Sequence, residues 1–341
     1  DVAQFGDIGQ TIDRPLDELS ISPEGLSPRL IKNGYDSYSM LNGRVYALPL
    51  DPSVQIFLYR TDLFHDAKLC RAYYERFHEN LVVPTTYEQY LHAAEFFTRS
   101  CNPDSPTEYG TTMTCGSASV AASDFLPFYL SRIDRFGSTP ETLRLDSPEM
   151  QAAMRQYHAL EKFSCKQNWW GDSIQKFAEG KTAMTVIYSN YAAELINSGN
   201  SVVVGRVGAA ILPGCKPLLG GGIVGISRYS QKAEACKQFF HWYYSADVAS
   251  LLVRLGGTSP IVDAYEDFQN YSIFPWMNTS KKSFGLGQRG VINQTPERFS
   301  IPKYEFAVGT AVRNVVQDLM TPEDASRMAQ ALYDAADPVC R

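Results

Sequence analysis

The stretch Leu-Leu-Gly-Gly-Gly-Ile-Val-Gly-Ile-Ser, residues 218–227, decides how this chain is read. Scanned as Gly220-x-Gly222-x-x-Gly225, it has the spacing of loops that cradle a dinucleotide pyrophosphate. That chemistry needs a strand before the glycines and a helix that begins inside them, so that helix N–H groups face the phosphates. Here the glycines precede Ile-Val-Gly-Ile-Ser, which has strand character, and the next helical pattern starts only after Ser230. Pro213 and Pro217 break up what comes before. Asp247 stands about twenty residues on, where an acid would meet a ribose, but the order of elements is wrong for a nucleotide. Three consecutive glycines read better as backbone that turns freely and passes close to something else.

Length and composition limit what that something is. A chain of 341 residues predicts two domains, and 44% hydrophobic with 20% charged residues predicts ordinary globular ones. The formal charge is −6 and the basic residues are scattered, which argues against nucleic acid or an anionic membrane as the main partner. No segment approaches the apolar length of a membrane span, and no leader pattern opens the sequence, so an exported form is expected to have lost its leader. Seven cysteines never fall in a C-x-x-C pair, and no histidine sits at metal-ligand spacing from them. They are expected to be small buried hydrophobes with at most one disulfide, the odd count leaving one unpaired. No metal and no cofactor are expected.

Helical and strand patterns alternate along the chain. Thr85 and Glu88 stand at capping-box spacing before an amphipathic run with Tyr87, Tyr90, Leu91 and Ala94 on one face. Ser147 and Pro148 open another helix whose stripe is Met150, Met154 and Tyr157. A short helix is stopped by Gly180, and a strand follows with Thr182, Met184 and Val186 alternating. Val308, Ala311, Val312 and Val315 form one late stripe; Ala325, Met328, Ala329 and Leu332 form a second, opened by Thr321-Pro322. These two are expected to lie on the surface. In residues 42–64 the runs 45–48 and 54–59 are β-rich, with Asp51-Pro52-Ser53 between them.

Five segments in order carry a resemblance: "GRVYALP" followed by "FLYRTDLF"; "VVPTTYEQYLHAAEFF", with Tyr87 in place of a usual Trp; "FAEGKTAMTVIYSNY"; "LLGGGIVGISRYSQKAEACKQFFHWYYS"; and the C-terminal helix pair from "IPKYEFAVGT". Together they resemble the extracellular solute-binding proteins of ABC sugar importers, the maltose-binding-protein-like group. The resemblance implies an α/β fold of two lobes around a cleft, closed by flexing crossings. It places residues 1–49 and 222–285 in the first lobe and 53–217 and 286–341 in the second. The hinge crossings fall near 50–52 and 218–222. The chain begins at a point that corresponds to the interior of the family's first lobe. An N-terminal part of that lobe is therefore expected to be missing, which implies a partner chain, a compensating arrangement over the exposed sheet edges, or a weakly stable lobe.

The resemblance also assigns a ligand class and its residues. A mono- or oligosaccharide is held by aromatic faces under C–H surfaces and by groups that satisfy hydroxyls. Asp1 and Phe5 would lie at the rim, Asp51 and Ser53 beside the first crossing, and Ser123, Asp124 and Phe125 in a stacking or hydrogen-bonding cluster. Tyr188, Asn190 and Tyr191 stand where relatives carry a Trp, so stacking would pass to a tyrosine. Gly221 and Gly222 would form the second crossing. Thr310 stands where the maltose binder has an aromatic, which argues against malto-oligosaccharide. Each residue has a plainer reading: Asp51 beside Pro52 as a turn former, Tyr188 and Tyr191 as core, Trp169-Trp170 as a core or surface pair, and Trp276 as rim contact or packing.

Catalysis has little support. The five histidines lie on helical patterns or their flanks, and neither H-E-x-x-H nor G-x-S-x-G occurs. A spatial pair of carboxylates for glycoside hydrolysis leaves no sequence signature, so a carbohydrate-active or nucleotide-dependent enzyme stands as the alternative. The expected protein is a bacterial receptor outside the cytoplasm. Its partners are the permease subunits of the transporter, and it meets the membrane only through a lipid anchor outside this sequence.

Overall fold

The computed structural model describes residues 13–31, 39–41, 43–133, 144–197, 199–288 and 301–335. Its strands, in chain order, are β1 (Met40–Leu41), β2 (Arg44–Val45), β3 (Ala47–Pro49), β4 (Ser53–Arg60), β5 (Thr111–Thr114), β6 (Ser164–Gln167), β7 (Met184–Tyr188), β8 (Val207–Ala210), β9 (Leu219–Gly220) and β10 (Ile223–Gly225). Helices longer than two turns are α1 (Ala67–Phe77), α2 (Tyr87–Phe96), α3 (Ala118–Leu130), α4 (Pro148–Glu161), α5 (Trp170–Ala178), α6 (Ala233–Tyr243), α7 (Ala246–Arg254), α8 (Met277–Leu286), α9 (Ile301–Val316) and α10 (Pro322–Asp334). Asp1 and Phe5 lie outside the described residues.

The helix boundaries follow from local chemistry. Ser147 accepts the Met150 N–H with Pro148 at the first position of α4, and Thr321 does the same for Asp324 in α10. Gly180 ends the turn after α5 with φ at +73°, which a side chain would disfavour. At α2 the cap lies one residue later than its sequence spacing suggests. Thr86 accepts the Gln89 N–H, and the Gln89 side chain reaches back to the Thr86 N–H, so Gln89 rather than Glu88 closes the capping box. The last helices are not both superficial. Tyr304, Ala307, Val308, Ala311, Val312 and Val315 of α9 are all buried, and α9 packs along α3. A Cβ on Gly309 would strike the Ala118 carbonyl, and that close approach is what admits the helix.

β4 is the axis of the molecule. It pairs antiparallel with β7 on one side; on the other it pairs with β9 near its start and with β8 further along. Two hydrophobic cores lie on its two faces. Phe57 points into the first, with Met113, Phe125, Tyr157, Trp170 and Tyr188. Val54, Ile56 and Leu58 point into the second, with Leu48, Ile174, Phe240, Tyr244, Trp276 and Phe284. This is the period of two of a strand buried on both sides. α8, assigned by sequence to the first lobe, lies against β4, and its Thr279 hydroxyl donates to the Ala209 carbonyl of β8.

The crossings form one narrow ribbon. β3 and β10 pair antiparallel through Pro49 and Ile223, and β4 and β9 pair through Ser53 and Gly220. Between these ladders the Leu50 N–H donates to the Gly222 carbonyl at 2.8 Å, and the Gly222 N–H donates to the Asp51 carboxylate. A third pass joins them at Gln288, whose N–H donates to the Pro217 carbonyl and whose carbonyl accepts from Leu219. Gly221 has φ of +93°, and a Cβ there would lie 2.1 Å from the Asp51 carbonyl oxygen. That position is closed to other residues on two counts.

Candidate functional site

Topology gathers the site. β5 and β6 are parallel, Tyr109 and Thr182 bridge in parallel, and β7 is antiparallel to β4. The C-terminal ends of β5, β6 and β7 therefore share one edge with the N-terminal end of β4, where the crossings enter. Loops beyond strand C-termini are where open α/β sheets bind ligands. The loop after β5 carries residues 115–117, the loop after β6 carries Asn168 and Trp169, and the turn after β7 carries Ser189, Asn190 and Tyr191. α3 and α5 both begin at this edge, so their first N–H groups offer donors there. Trp169 caps α5 without a side-chain hydrogen bond.

The Ser53 hydroxyl, itself buried, donates to Asn190 Oδ1 at 2.9 Å, and the Asn190 N–H donates to Ser53 Oγ. The Val54 N–H donates to Ser189 Oγ. These bonds seat the turn after β7 on the start of β4. Trp169, half exposed at 50%, and Tyr191 meet edge to face with centroids 6.5 Å apart. A Cβ on Gly171 would stand in ordinary van der Waals contact with both rings. Burial pushes the Tyr191 phenol up. The Trp169 indole N–H beside it acts in the opposite direction, and the charges of Glu194 and Asp51 add to the burial. Across the ribbon, Tyr243 donates to the Leu50 carbonyl and Tyr244 to the Pro49 carbonyl. The Tyr243 phenol is pushed up to about 12 by burial and then by the Asp51 carboxylate. Asp51 itself is exposed, and its charge is felt by tyrosines on both sides.

The structure thus brings Asp51, Ser53, Asn190, Tyr191, Gly221 and Gly222 together. Thr310, half buried on α9, follows Gly309 where that helix touches the first turn of α3. Three expected contacts are turned elsewhere. Phe125 is fully buried, with its ring edge on Tyr157 at 5.6 Å, so it presents no face to a solute. Tyr188 is buried edge-on against Trp170 at 5.1 Å, and its ring lies where a Cβ on Gly220 would be. It fills the underside of the crossing rather than forming a platform. Ser123 is buried, and its carbonyl accepts from Gln55 Nε2 at 2.8 Å.

Asp124 accepts from the Tyr157 hydroxyl at 2.6 Å and from the Thr114 N–H. Part of its surface borders a narrow cavity with Tyr87, Tyr90, Thr112 and Phe128, and desolvation there lifts its carboxyl to about 7. Trp276 is buried against Phe274, which makes it packing. Sequence reasoning read Trp169 together with Trp170 as a core or surface pair and passed over Tyr243. The available signal for Trp169 was its place directly after a strand and before a helix; Tyr243 carried none, because its helix position is also that of a core residue. The six described cysteines are free thiols, and no cluster of metal-ligating side chains occurs among the described residues.

Solved structures share this architecture. An ABC transporter solute-binding protein from Agrobacterium radiobacter K84, in complex with ribitol, superposes with a TM-score of 0.79 at 22% identity, covering 97% of this chain and 82% of that one. One from Agrobacterium vitis S4, with bound D-mannitol, gives 0.73 at 18%, covering 98% and 82%. A maltose-bound protein of T. maritima gives 0.74 at 19%, covering 97% and 81%. The family profile described as bacterial extracellular solute-binding protein matches residues 1–276. With two cores on the faces of β4, three passes of backbone meeting at the start of that strand, and a polar-aromatic edge where they meet the strand ends, the chain belongs to the bacterial extracellular solute-binding proteins.

Proposed function

We propose that this chain captures a sugar or polyol for an ABC importer and delivers it to the permease without chemical change. The observation that carries this reading is the grouping at one edge of a half-exposed indole, a phenol, a carboxamide, a carboxylate and side-chain-free backbone. Apolar C–H faces of a sugar or polyol pack on Trp169 and Tyr191, which is the contact such rings make well. Asp51 accepts from hydroxyls. Asn190, its oxygen already occupied by Ser53, is left with its NH2 to donate. Gly221 and Gly222 let the solute approach the backbone and let the ribbon flex. The ribitol, mannitol and maltose held by the structural relatives support the same class. A lipid anchor outside this sequence would hold the receptor at the membrane.

Calorimetric titration with a panel of polyols, monosaccharides and short oligosaccharides tests the reading, with NAD and ATP as controls. A bound solute at a hundredfold excess over Kd is expected to stabilise the fold by about 2.7 kcal/mol. Saturable binding of a panel member without turnover supports the receptor. A flat response across the panel, or turnover of a bound saccharide, would overturn it.

A further inference from the structure

We propose that Gln55 is a positioning residue that locks α3 to the hinge ribbon and so sets the geometry in which solute is retained; the retention part rests on the receptor reading. Gln55 is fully buried and lies where β4 changes neighbours, after its pairing with β9 through Val54 and before its pairing with β8 from Phe57. Its backbone N–H donates to the Leu218 carbonyl at 3.0 Å. An antiparallel ladder would return a bond from the Leu218 N–H to the Gln55 carbonyl. Instead the Leu218 N–H donates to the Gln55 side-chain Oε1 at 2.9 Å. The side chain therefore substitutes for a rung at the point where the crossing leaves the sheet.

The other end of the same amide resolves a defect in α3. Pro127 lies inside that helix and has no N–H, so the Ser123 carbonyl four residues earlier loses its helical donor. Ser123 is buried, and an orphaned carbonyl there would be costly. Gln55 Nε2 donates to it at 2.8 Å. One carboxamide thus satisfies two backbone groups that the fold leaves open, one on the second crossing and one on α3. α3 starts at the binding edge and packs on α9 next to Thr310. A displacement of α3 relative to the ribbon would move a wall of the site without altering any group that touches solute.

The coupling to Pro127 makes the proposal testable in a way that a general packing role would not reproduce. Gln55→Leu removes both bonds, and Gln55→Glu, assayed at a pH high enough to ionise the buried carboxyl, keeps the acceptor for Leu218 but loses the donor for Ser123. Pro127→Ala restores an N–H for the Ser123 carbonyl. With the tightest panel solute, Gln55→Leu and Gln55→Glu are expected to weaken binding about tenfold or more, through faster dissociation. Pro127→Ala is expected to recover affinity in the Gln55→Glu background and to have little effect in the wild type. Hydrogen exchange of the α3 amides gives a ligand-free reading of the same cycle: faster exchange in the Gln55 variants, reversed by Pro127→Ala. Should Gln55→Leu fail to fold, the Gln55→Glu arm carries the cycle alone. Equal effects of Pro127→Ala in the wild-type and Gln55→Glu backgrounds, in affinity or in exchange, would overturn the coupling. If no panel member binds the wild type, the receptor reading fails while the exchange cycle still decides for or against the lock.

Discussion

Two tryptophan–tyrosine pairs sit side by side where β6 and β7 end, and they have opposite fates. Trp170 and Tyr188 are buried and packed edge-on, 5.1 Å apart, in the core below the crossing. Trp169 and Tyr191, from the same two connections, meet edge to face at 6.5 Å, with the indole half exposed and the phenol half-buried where both cores end. The sequences differ by one residue on the first connection and three on the second. What separates the pairs is the turn of the backbone. Trp169 has extended φ and ψ as the cap of α5, while Trp170 is already in the helix and points beneath it. Tyr188 closes β7 and points into the core, and Tyr191 follows after a short 3-10 turn. Aromatic content at a strand end therefore does not say which ring meets solute; the capping geometry does.

The largest effects are expected at the buried pair. Trp170→Ala or Tyr188→Ala removes a large ring from a filled core, and each is expected to cost about 3–5 kcal/mol of stability, read from urea unfolding. If either lowered solute affinity with stability intact, the inward assignment would be wrong.

The next largest effect is expected at Asp124, a half-buried carboxyl that borders the inner cavity. Its carboxyl is raised from 3.8 to about 7 by desolvation. Between about pH 4 and pH 7 the folded chain keeps a proton that the unfolded chain has lost. Stability is therefore expected to fall as pH rises through this window and to level off above it. The full difference is on the order of 4 kcal/mol. Asp124→Asn is expected to flatten this slope and to be favoured over wild type at pH 8 more than at pH 5. Parallel curves of unfolding free energy against pH would contradict the buried placement.

Gly221 and Gly222 make a smaller contrast. Gly221→Val places a β-branched side chain at φ of +93° and against the Asp51 carbonyl, whereas a Cβ on Gly222 meets only the end of the Asp51 side chain. Gly221→Val is expected to cost about 1–3 kcal/mol from backbone conformation alone, with Gly222→Val affecting affinity more than folding. Equal losses of stability in both variants would show that the ribbon is not held as described.

Much of the fold was legible in the sequence because it rests on local signals. Ser147-Pro148, Thr321-Pro322 and Gly180 punctuate their helices where the chain says they should, and the alternation in residues 182–186 gives a strand. The ordered segments around Gly220, Gly221 and Gly222 carried the two-lobe architecture. The candidate site was legible only in part. Asp51, Ser53, Asn190 and Tyr191 are adjacent in sequence to crossings or strand ends, so a segment match locates them. Phe125 and Tyr188 were misread because whether a side chain faces the core or the edge depends on helix phase and on the neighbour it packs against. Phe125 is turned onto Tyr157 of α4, and Tyr188 is turned beneath Gly220. Gln55 gave no signal, since its role arises from a proline four residues beyond its hydrogen-bond partner in a distant helix.

Whether a sugar or polyol is held at the strand-end edge by Trp169 and Tyr191 is decided by titrating the polyol and saccharide panel against wild type, Trp169→Ala and Trp170→Phe, following tryptophan fluorescence and calorimetric heat together. This arrangement predicts a saturable signal in wild type and in Trp170→Phe. It predicts that Trp169→Ala loses about 1–3 kcal/mol of binding, which is roughly ten- to a hundredfold in Kd, with its melting temperature nearly unchanged. Unaltered affinity in Trp169→Ala for a solute that the wild type binds would contradict it.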